Sequence, residues 1–145
     1  MKSLQSKITE SRMTNVLYIA FVLDEGSKQK LLEKTEKYRP NWNNFNVICH
    51  HHTITFYTKL TEDIFNWAQA NLNTVFNIQA IKYGISDKAF AVEVETTMPC
   101  TNDIKHITIM TNPDTNGKPV DSNYITNWKS MERIDLTGYV KIFYK

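Results

Sequence analysis

Two short runs of β-branched residues, each carrying the pattern His-x-Thr, constrain this chain more than any other feature. The first pattern is His51-x-Thr53 and the second is His106-x-Thr108. Successive side chains of a strand alternate between its faces, so each histidine shares a face with its threonine. Two such strands side by side would bring two imidazoles and two hydroxyls to one cleft. These groups suit metal-free proton transfer at a phosphodiester.

Length and composition predict one folded domain spanning residues 1–145. Hydrophobic residues make up 41% and charged residues 22%, with four glycines and four prolines, which is typical of a globular domain. The formal charge of +2 is too small for wrapping duplex nucleic acid, which requires many phosphate contacts. A small anionic ligand in a local basic pocket remains compatible with this charge.

Neither a membrane span nor a disulfide framework is expected. No stretch approaches the roughly 18 apolar residues of a spanning helix, and Met1–Lys7 lacks the apolar core of a signal peptide. A cytoplasmic location is therefore expected. The two cysteines, Cys49 and Cys100, are too few for a framework, and Cys49 lies in a strand where a small apolar thiol is the ordinary interpretation.

Alternating strands and helices predict an α+β fold. A helix over Thr61–Leu72 has an N-cap threonine followed by acidic residues, and Pro40 supports the end of an earlier helix. The predicted architecture is a curved, mostly antiparallel sheet in two lobes, flanked by two or three helices. The remaining predicted elements are strands Val16–Asp24, Val47–Tyr57, Phe76–Tyr83, Ala89–Glu95, Ile104–Met110 and Leu136–Tyr144, a helix over Glu25–Tyr38, a loop over Thr111–Pro119 and a short helix beginning within Asp121–Trp128.

The triplet of histidines from His50 to His52 also invites a metal interpretation, since imidazole is a common zinc ligand. On a strand, however, His50 and His52 point away from His51, so the three rings cannot converge on one ion without a bulge. No carboxylate or cysteine with metal-site spacing accompanies them. We therefore expect no metal and no other cofactor, and we expect His50 and His52 to pack or to reach solvent.

The twin pattern resembles that of the two-histidine phosphoesterase superfamily, which includes RNA-end and cyclic-nucleotide phosphodiesterases. Within it, the chain is most similar to the phage anti-CBASS phosphodiesterases, which degrade cyclic oligonucleotide messengers of a bacterial antiviral pathway. One departure is His52, where an aliphatic residue is more usual; its side chain is expected to face away from the site, with little effect. The segments that carry the resemblance are Tyr18–Asp24, His51–Ile54, Tyr83–Val94, His106–Ile109 and Pro119–Trp128.

This resemblance implies that His51 and His106 are an acid–base pair and that Thr53 and Thr108 bind phosphoryl oxygens. It implies a metal-independent hydrolase that cuts 3′–5′ bonds of cyclic di- or trinucleotides in the cytoplasm of an infected bacterium. Two alternatives remain open, namely a 2′,3′-cyclic phosphodiesterase acting on RNA ends and a non-catalytic sponge that binds cyclic nucleotides. The preferred messenger, the order of the two histidines and the oligomeric state also remain open.

Base recognition is expected from aromatic side chains, because nucleobases stack on them with little sequence preference. Tyr18 begins the first strand, and Tyr124 and Trp128 lie beside the polar loop, where they could close over the sheet. Packing in the core is the competing interpretation for Tyr18 and Trp128. Lys105 flanks the second motif, but strand alternation places it on the face opposite His106.

Overall fold

The computed structural model describes residues 12–145, so the predicted properties of Met1–Lys7 lie outside it. The strands are β1 (Val16–Leu23), β2 (Asn46–Val47), β3 (His51–Phe56), β4 (Val75–Ile85), β5 (Ala89–Glu95), β6 (His106–Thr111) and β7 (Lys129–Tyr144). The α-helices with described bounds are α1 (Glu25–Thr35) and α2 (Glu62–Ala70). Short 3-10 helices occupy Glu36–Tyr38, Tyr57–Lys59, Pro113–Thr115 and Pro119–Tyr124.

The strands form one antiparallel sheet in the order β2-β6-β3-β1-β7-β4-β5. Strand β5 also pairs with β6, so six of the strands close into a ring, and β2 extends the edge of β6 beside β3. The predicted α+β class with an antiparallel sheet and flanking helices is confirmed. The sheet is closed, so its two halves form parts of one barrel-like surface.

Local sequence explains where both helices begin. The Asp24 side chain accepts a hydrogen bond from the Ser27 backbone N–H at 2.7 Å, and Thr61 Oγ1 accepts one from Ile64 N–H at 3.2 Å. Such caps satisfy backbone donors that have no partner within the helix. Helix α1 ends at Thr35, earlier than the predicted Tyr38, because the last three residues tighten into a 3-10 turn.

One face of the sheet is covered by the helices and forms the main core. Leu31 from α1 and Phe65 from α2 are buried together with Phe21 of β1 and Ile107 of β6. Burying a side chain of this size contributes about 1.5–3 kcal/mol. The core thereby fixes the face on which Phe21 and Ile107 lie, and their strand neighbours face the opposite way.

The segment after the polar loop differs from its prediction. The structure has a 3-10 helix over Pro119–Tyr124, where the sequence predicts a short helix within Asp121–Trp128. The helix begins with Lys118 N–H donating to Asp121 Oδ2 at 2.8 Å, and extended backbone at Ile125 ends it. Strand β7 begins at Lys129, well before the predicted Leu136, because it pairs with β4 along its length.

Both cysteines are free thiols. Cys49 is fully buried and has φ of 41°, which kinks the chain between β2 and β3. Burial raises the pKa of Cys49 to about 11, so its thiol stays protonated and unreactive at neutral pH. Over residues 12–145, no helix is long and apolar enough to cross a membrane.

Candidate active site

The two His-x-Thr motifs lie on adjacent antiparallel strands. His52 of β3 is paired with Ile107 of β6. Antiparallel geometry then sets the preceding residue of one strand beside the following residue of the other. His51 is therefore alongside Thr108, and Thr53 is alongside His106. The four side chains line one cavity of about 290 Å³, in which each histidine faces the threonine of the other motif.

His106 is held through one ring nitrogen. Its Nδ1 lies 2.8 Å from the backbone oxygen of Ile104. A carbonyl oxygen can only accept, so Nδ1 carries a hydrogen and Nε2 is the nitrogen left for a ligand. Burial lowers the pKa of His106, while the hydrogen bond to Ile104 favours the protonated ring and opposes that effect.

Thr108 is held by two oxygen atoms from the 3-10 helix. Its hydroxyl donates to the backbone oxygen of Pro119 at 3.3 Å and lies 2.7 Å from Ser122 Oγ. Because the Thr108 hydroxyl donates its hydrogen to the Pro119 oxygen, the Ser122 hydroxyl is the donor in the bond between Ser122 and Thr108. The bond to Pro119 is long, so an anionic oxygen in the cavity can compete for the Thr108 proton.

The first motif has a different environment. His51 is partly exposed, and its ring stacks on Tyr18 with centroids 5.4 Å apart and planes at 19°. Burial lowers the pKa of His51 to about 4, and repulsion from His50 adds to the effect. Within residues 12–145, neither the His51 ring nor the Thr53 hydroxyl has a hydrogen-bond partner in the protein. Both groups are open to a ligand.

His52 lies on the opposite face, as strand alternation predicts, and it is fully buried. Its Nδ1–H donates to the backbone oxygen of His106 at 3.3 Å, whereas Nε2 is buried without a partner. Burial lowers its pKa to about 3. His52 therefore connects the backbones of the two motifs as a neutral ring. His50 is exposed, as one of the two expected outcomes for it.

Aromatic rings line the His51 side of the cavity. Tyr18 lines it, and its ring also packs on Phe143 at 4.4 Å and near Phe56 at 6.0 Å. Phe56 lines the cavity and is 44% exposed. Strict alternation from His51 would place Phe56 on the opposite face of the strand. The pairing of β1 with β3 shifts register between Ile19 and Ala20, which turns Phe56 to the cavity face.

Tyr124 and Trp128 are not among the residues that line this cavity. Trp128 packs against Ala89, Ala91 and Ile125, and its indole N–H donates to the backbone oxygen of Ile125 at 3.2 Å. A Cβ on Gly84 would lie 2.8 Å from the Trp128 ring, so glycine is needed for this packing. Tyr124 is 74% exposed and lines an adjoining cavity.

Further polar groups come from loops that the sequence pattern does not single out. Asn102, before β6, and Asn123, in the 3-10 helix, both line the cavity. None of its lining residues is Lys, Arg, Asp or Glu. Lys105 is not among them; its ammonium donates to the backbone oxygen of Thr96 at 2.8 Å. The remaining lining residues are apolar: Ile48, Pro119 and Val120.

Within the described chain, no three His, Cys, Asp or Glu side chains are grouped so that they could hold a metal ion. His51 and His52 point to opposite faces of β3, whereas His50 precedes the strand, so alternation does not describe its direction. Among the residues that line the cavity, the side chains that can carry a positive charge are the imidazoles of His51 and His106. The hydroxyl and amide donors already described would add neutral hydrogen bonds.

Comparison with known proteins identifies the fold. No protein-family model and no curated protein sequence matches the chain. Among solved structures, the chain is similar to a fungal RNA kinase, with a TM-score of 0.57 and 15% identity. The match covers 89% of this chain and 42% of the kinase chain, so this chain spans less than half the length of that protein. At this identity the likeness concerns the fold.

Proposed function

We propose that this protein is a metal-independent phosphodiesterase that cleaves 3′–5′ bonds between ribonucleotides. The observation that carries the proposal is the single cavity lined by His51, Thr53, His106 and Thr108 from two paired strands. A 2′-hydroxyl next to the scissile phosphorus is a tethered nucleophile with a high effective concentration. The protein then needs to move protons and to stabilise charge.

The charge of the cavity favours a diester over other phosphate groups. A diester carries one negative charge, whereas a monoester or a triphosphate carries more and usually requires Lys, Arg or Mg²⁺. No lining residue is Lys or Arg. The sequence also lacks the Gly-x-x-x-x-Gly-Lys-Ser/Thr loop with which many kinases hold a triphosphate. One protonated histidine balances one diester.

We assign the base to His51 and the acid to His106. His51 has no internal hydrogen-bond partner and a pKa of about 4, so it is neutral and able to accept the 2′-hydroxyl proton. His106 donates Nδ1–H to Ile104, which stabilises its protonated form and aims Nε2 as the proton donor. An anionic ligand beside either ring raises its pKa.

In the first step the 2′-oxygen attacks phosphorus, His51 takes the 2′-proton and the bond from phosphorus to the 5′-oxygen breaks. His106 protonates the departing 5′-oxygen, which leaves a 2′,3′-cyclic phosphate and a 5′-hydroxyl. Thr53 and Thr108 donate to the non-bridging oxygens as their charge grows. The Ser122 hydroxyl, by donating to Thr108, strengthens Thr108 as a donor. Water then opens the cyclic phosphate with the two histidine roles exchanged.

The substrate we propose is a cyclic di- or trinucleotide messenger, whose hydrolysis would let a phage evade CBASS immunity in the cytoplasm of its host. The resemblance of the two motifs to the anti-CBASS phosphodiesterases supports this choice. A second candidate substrate is RNA ending in a 2′,3′-cyclic phosphate. The fold shared with a fungal RNA kinase favours that candidate, since the name of that protein connects the fold with RNA.

One assay tests the reaction and separates these substrates. The purified protein is incubated with cyclic dinucleotides, cyclic trinucleotides and an RNA ending in a 2′,3′-cyclic phosphate, each with EDTA, and the products are identified by mass. We expect cyclic oligonucleotides to be linearised at an undiminished rate in EDTA. Faster turnover of the RNA end would favour the second candidate, and ligand recovered intact after tight binding would identify a sponge.

A 2′-deoxy analogue of the substrate is the matched control for the attacking group. It should bind with similar affinity and remain uncut, because the nucleophile has been removed. Cleavage of this analogue at a comparable rate would exclude attack by the 2′-hydroxyl.

A further inference from the structure

A second cavity of about 370 Å³ adjoins the one that contains the two motifs. Asn102 and Asn123 line both cavities, so the two spaces meet at these amides. The remaining walls of the second cavity are Lys59, Asp103, Ile104, Ser122 and Tyr124. We call it the Tyr124 cavity.

Tyr124 is the most exposed large aromatic residue of the described chain, at 74%. Its ring takes part in no aromatic or cation contact within residues 12–145. Tyr18, by contrast, packs against three other rings. An open aromatic face beside a cavity suits stacking of a nucleobase.

Several polar side chains around Tyr124 also have no hydrogen-bond or ion-pair partner within the described residues. Lys59 is exposed and makes no ion pair or hydrogen bond within the described residues, and it is the cation of this cavity. The side-chain amides of Asn102 and Asn123 have no partner there either. Amides donate and accept, and the Asp103 carboxylate accepts, so together they can bind the edges of a base or a ribose.

Two residues that line the Tyr124 cavity, Ile104 and Ser122, are hydrogen-bonded to the proposed catalytic groups. The Ile104 backbone oxygen accepts from His106 Nδ1, and Ser122 Oγ lies 2.7 Å from Thr108 Oγ1. The cavity therefore borders the motif that carries the acid. Because Asn102 and Asn123 line both cavities, a nucleoside attached to a phosphate in the first cavity can extend into this one.

We propose that the Tyr124 cavity binds the leaving nucleoside of a dinucleotide unit, with its base on Tyr124 and its next phosphate near Lys59. This rests on the proposed phosphodiesterase function, and it names the substrate class as one with nucleotides on both sides of the cleaved bond. It also gives Tyr124 a role outside the reacting groups, as a determinant of substrate length.

Two substrates with the same reacting atoms test the proposal. Adenylyl-(3′→5′)-adenosine has a leaving nucleoside, and adenosine 3′-(4-nitrophenyl phosphate) has none. Tyr124→Leu should lower kcat/KM for the dinucleotide about tenfold, mainly through KM, since stacking contributes about 1–3 kcal/mol per base. The nitrophenyl ester should be cleaved within twofold of the wild-type rate.

Tyr144→Leu is the matched control, since Tyr144 is 51% exposed at the end of β7 and lines neither cavity. It should leave both substrates unaffected. Equal loss on both substrates in the Tyr124 variant, or no loss on either, would overturn the subsite while the phosphodiesterase proposal stands. A wild-type protein that cleaves neither substrate would overturn both proposals.

Lys59 is tested with a dinucleotide that carries an additional 3′-phosphate. Wild-type protein should prefer this substrate to the plain dinucleotide, and Lys59→Gln should remove the preference. Lys129→Gln removes an exposed charge elsewhere and should retain it. A preference that survives in the Lys59 variant would contradict the placement of the phosphate.

Discussion

The two His-x-Thr motifs present matching groups to one cavity, yet they are held by different forces. His106 and Thr108 are nearly buried and are fixed by hydrogen bonds to Ile104, Pro119 and Ser122. His51 and Thr53 are more exposed, and the contacts of His51 are with aromatic rings, Tyr18 above all. Hydrogen bonds fix the direction of a ring atom, whereas stacking leaves both ring nitrogens free.

This difference suits the two tasks of the proposed reaction. A general base needs an unprotonated nitrogen with no competing partner, which stacking provides for His51. A general acid needs a stabilised proton in a fixed direction, which a carbonyl behind the ring provides for His106. In the proposed reaction, two near-identical sequence patterns thus have opposite roles because their surroundings differ.

The largest expected effect separates the two histidines by their roles. His51→Ala and His106→Ala should each lower kcat/KM for the ribonucleotide diester about 10²–10⁴-fold, the usual contribution of an acid or base. Replacing the 5′-oxygen by sulfur provides a leaving group that departs without protonation. The His106 variant should then recover to within about tenfold of wild type in a steady-state assay.

The His51 variant is the internal control, because attack still requires loss of the 2′-proton. It should show no recovery on the sulfur substrate. Recovery of the His51 variant instead would reverse the assignment of acid and base. Near-wild-type rates of both variants on the ordinary substrate would remove the motifs from the mechanism.

The next largest effect concerns His52, the middle residue of the first motif, and changes the stability of the protein. His52 has a folded pKa of about 3, below the ordinary 6.5, so below pH 6.5 the unfolded chain takes up a proton that the folded protein does not. Stability is therefore lost as pH falls. Between pH 7 and pH 5 this effect lowers the free energy of unfolding by about 2 kcal/mol, and the His52→Leu variant should not show this loss.

Urea unfolding of wild type and His52→Leu at pH 7 and pH 5 measures this difference. At pH 7 the variant should lie within about 1 kcal/mol of wild type, because the mutation removes one hydrogen bond and one buried nitrogen without a partner. Both proteins keep His51 and His106, whose titrations cancel in the comparison. If wild type and His52→Leu lose the same free energy of unfolding between pH 7 and pH 5, His52 titrates normally in the folded protein.

A smaller effect is expected from the hydrogen bond behind Thr108. Ser122→Ala removes the donor to Thr108 Oγ1. It should lower kcat about fivefold with KM little changed, because one such hydrogen bond contributes about 1 kcal/mol. Ser130→Ala changes an exposed serine of β7 and is the control. A shift in KM with unchanged kcat would show that Ser122 acts on binding.

The smallest effect is expected from the stacking partner of His51. Tyr18→Leu should reduce kcat/KM about threefold, because an aromatic pair contributes about 0.5–1.5 kcal/mol. It should also raise the pKa of His51 towards 6.5, since part of the burial is removed, and an NMR titration of the ring measures this. Tyr18→Phe keeps the ring and should match wild type in both measurements.

Strand alternation is the part of the sequence that predicts the structure best. It places His51 with Thr53 and His106 with Thr108, and it turns His52 to the core, because the core holds its strand neighbours in place. The caps at Asp24 and Thr61 likewise set the helix starts from local chemistry. These features depend on residues close together in the chain.

Features that depend on distant pairing escape this reasoning. Phe56 enters the cavity only because β3 shifts register against β1. The closure of the sheet requires β5 to meet β6, which no short pattern encodes. Trp128, just before β7, packs over Gly84 of β4, so its position depends on a contact between residues 44 positions apart in the chain. Asn102 lies in a loop without any distinguishing pattern.

The segment 119–128 joins several of these features in ten consecutive residues. Ser122 anchors Thr108, Tyr124 opens into the adjoining cavity and Trp128 fills the space above Gly84. A change of side chain at Tyr124 leaves both anchors intact, whereas an insertion or deletion between Ser122 and Trp128 displaces at least one of them. If Tyr124 has the role we propose, ligand preference can diversify here by substitution, while the length of the segment is fixed by its two attachments.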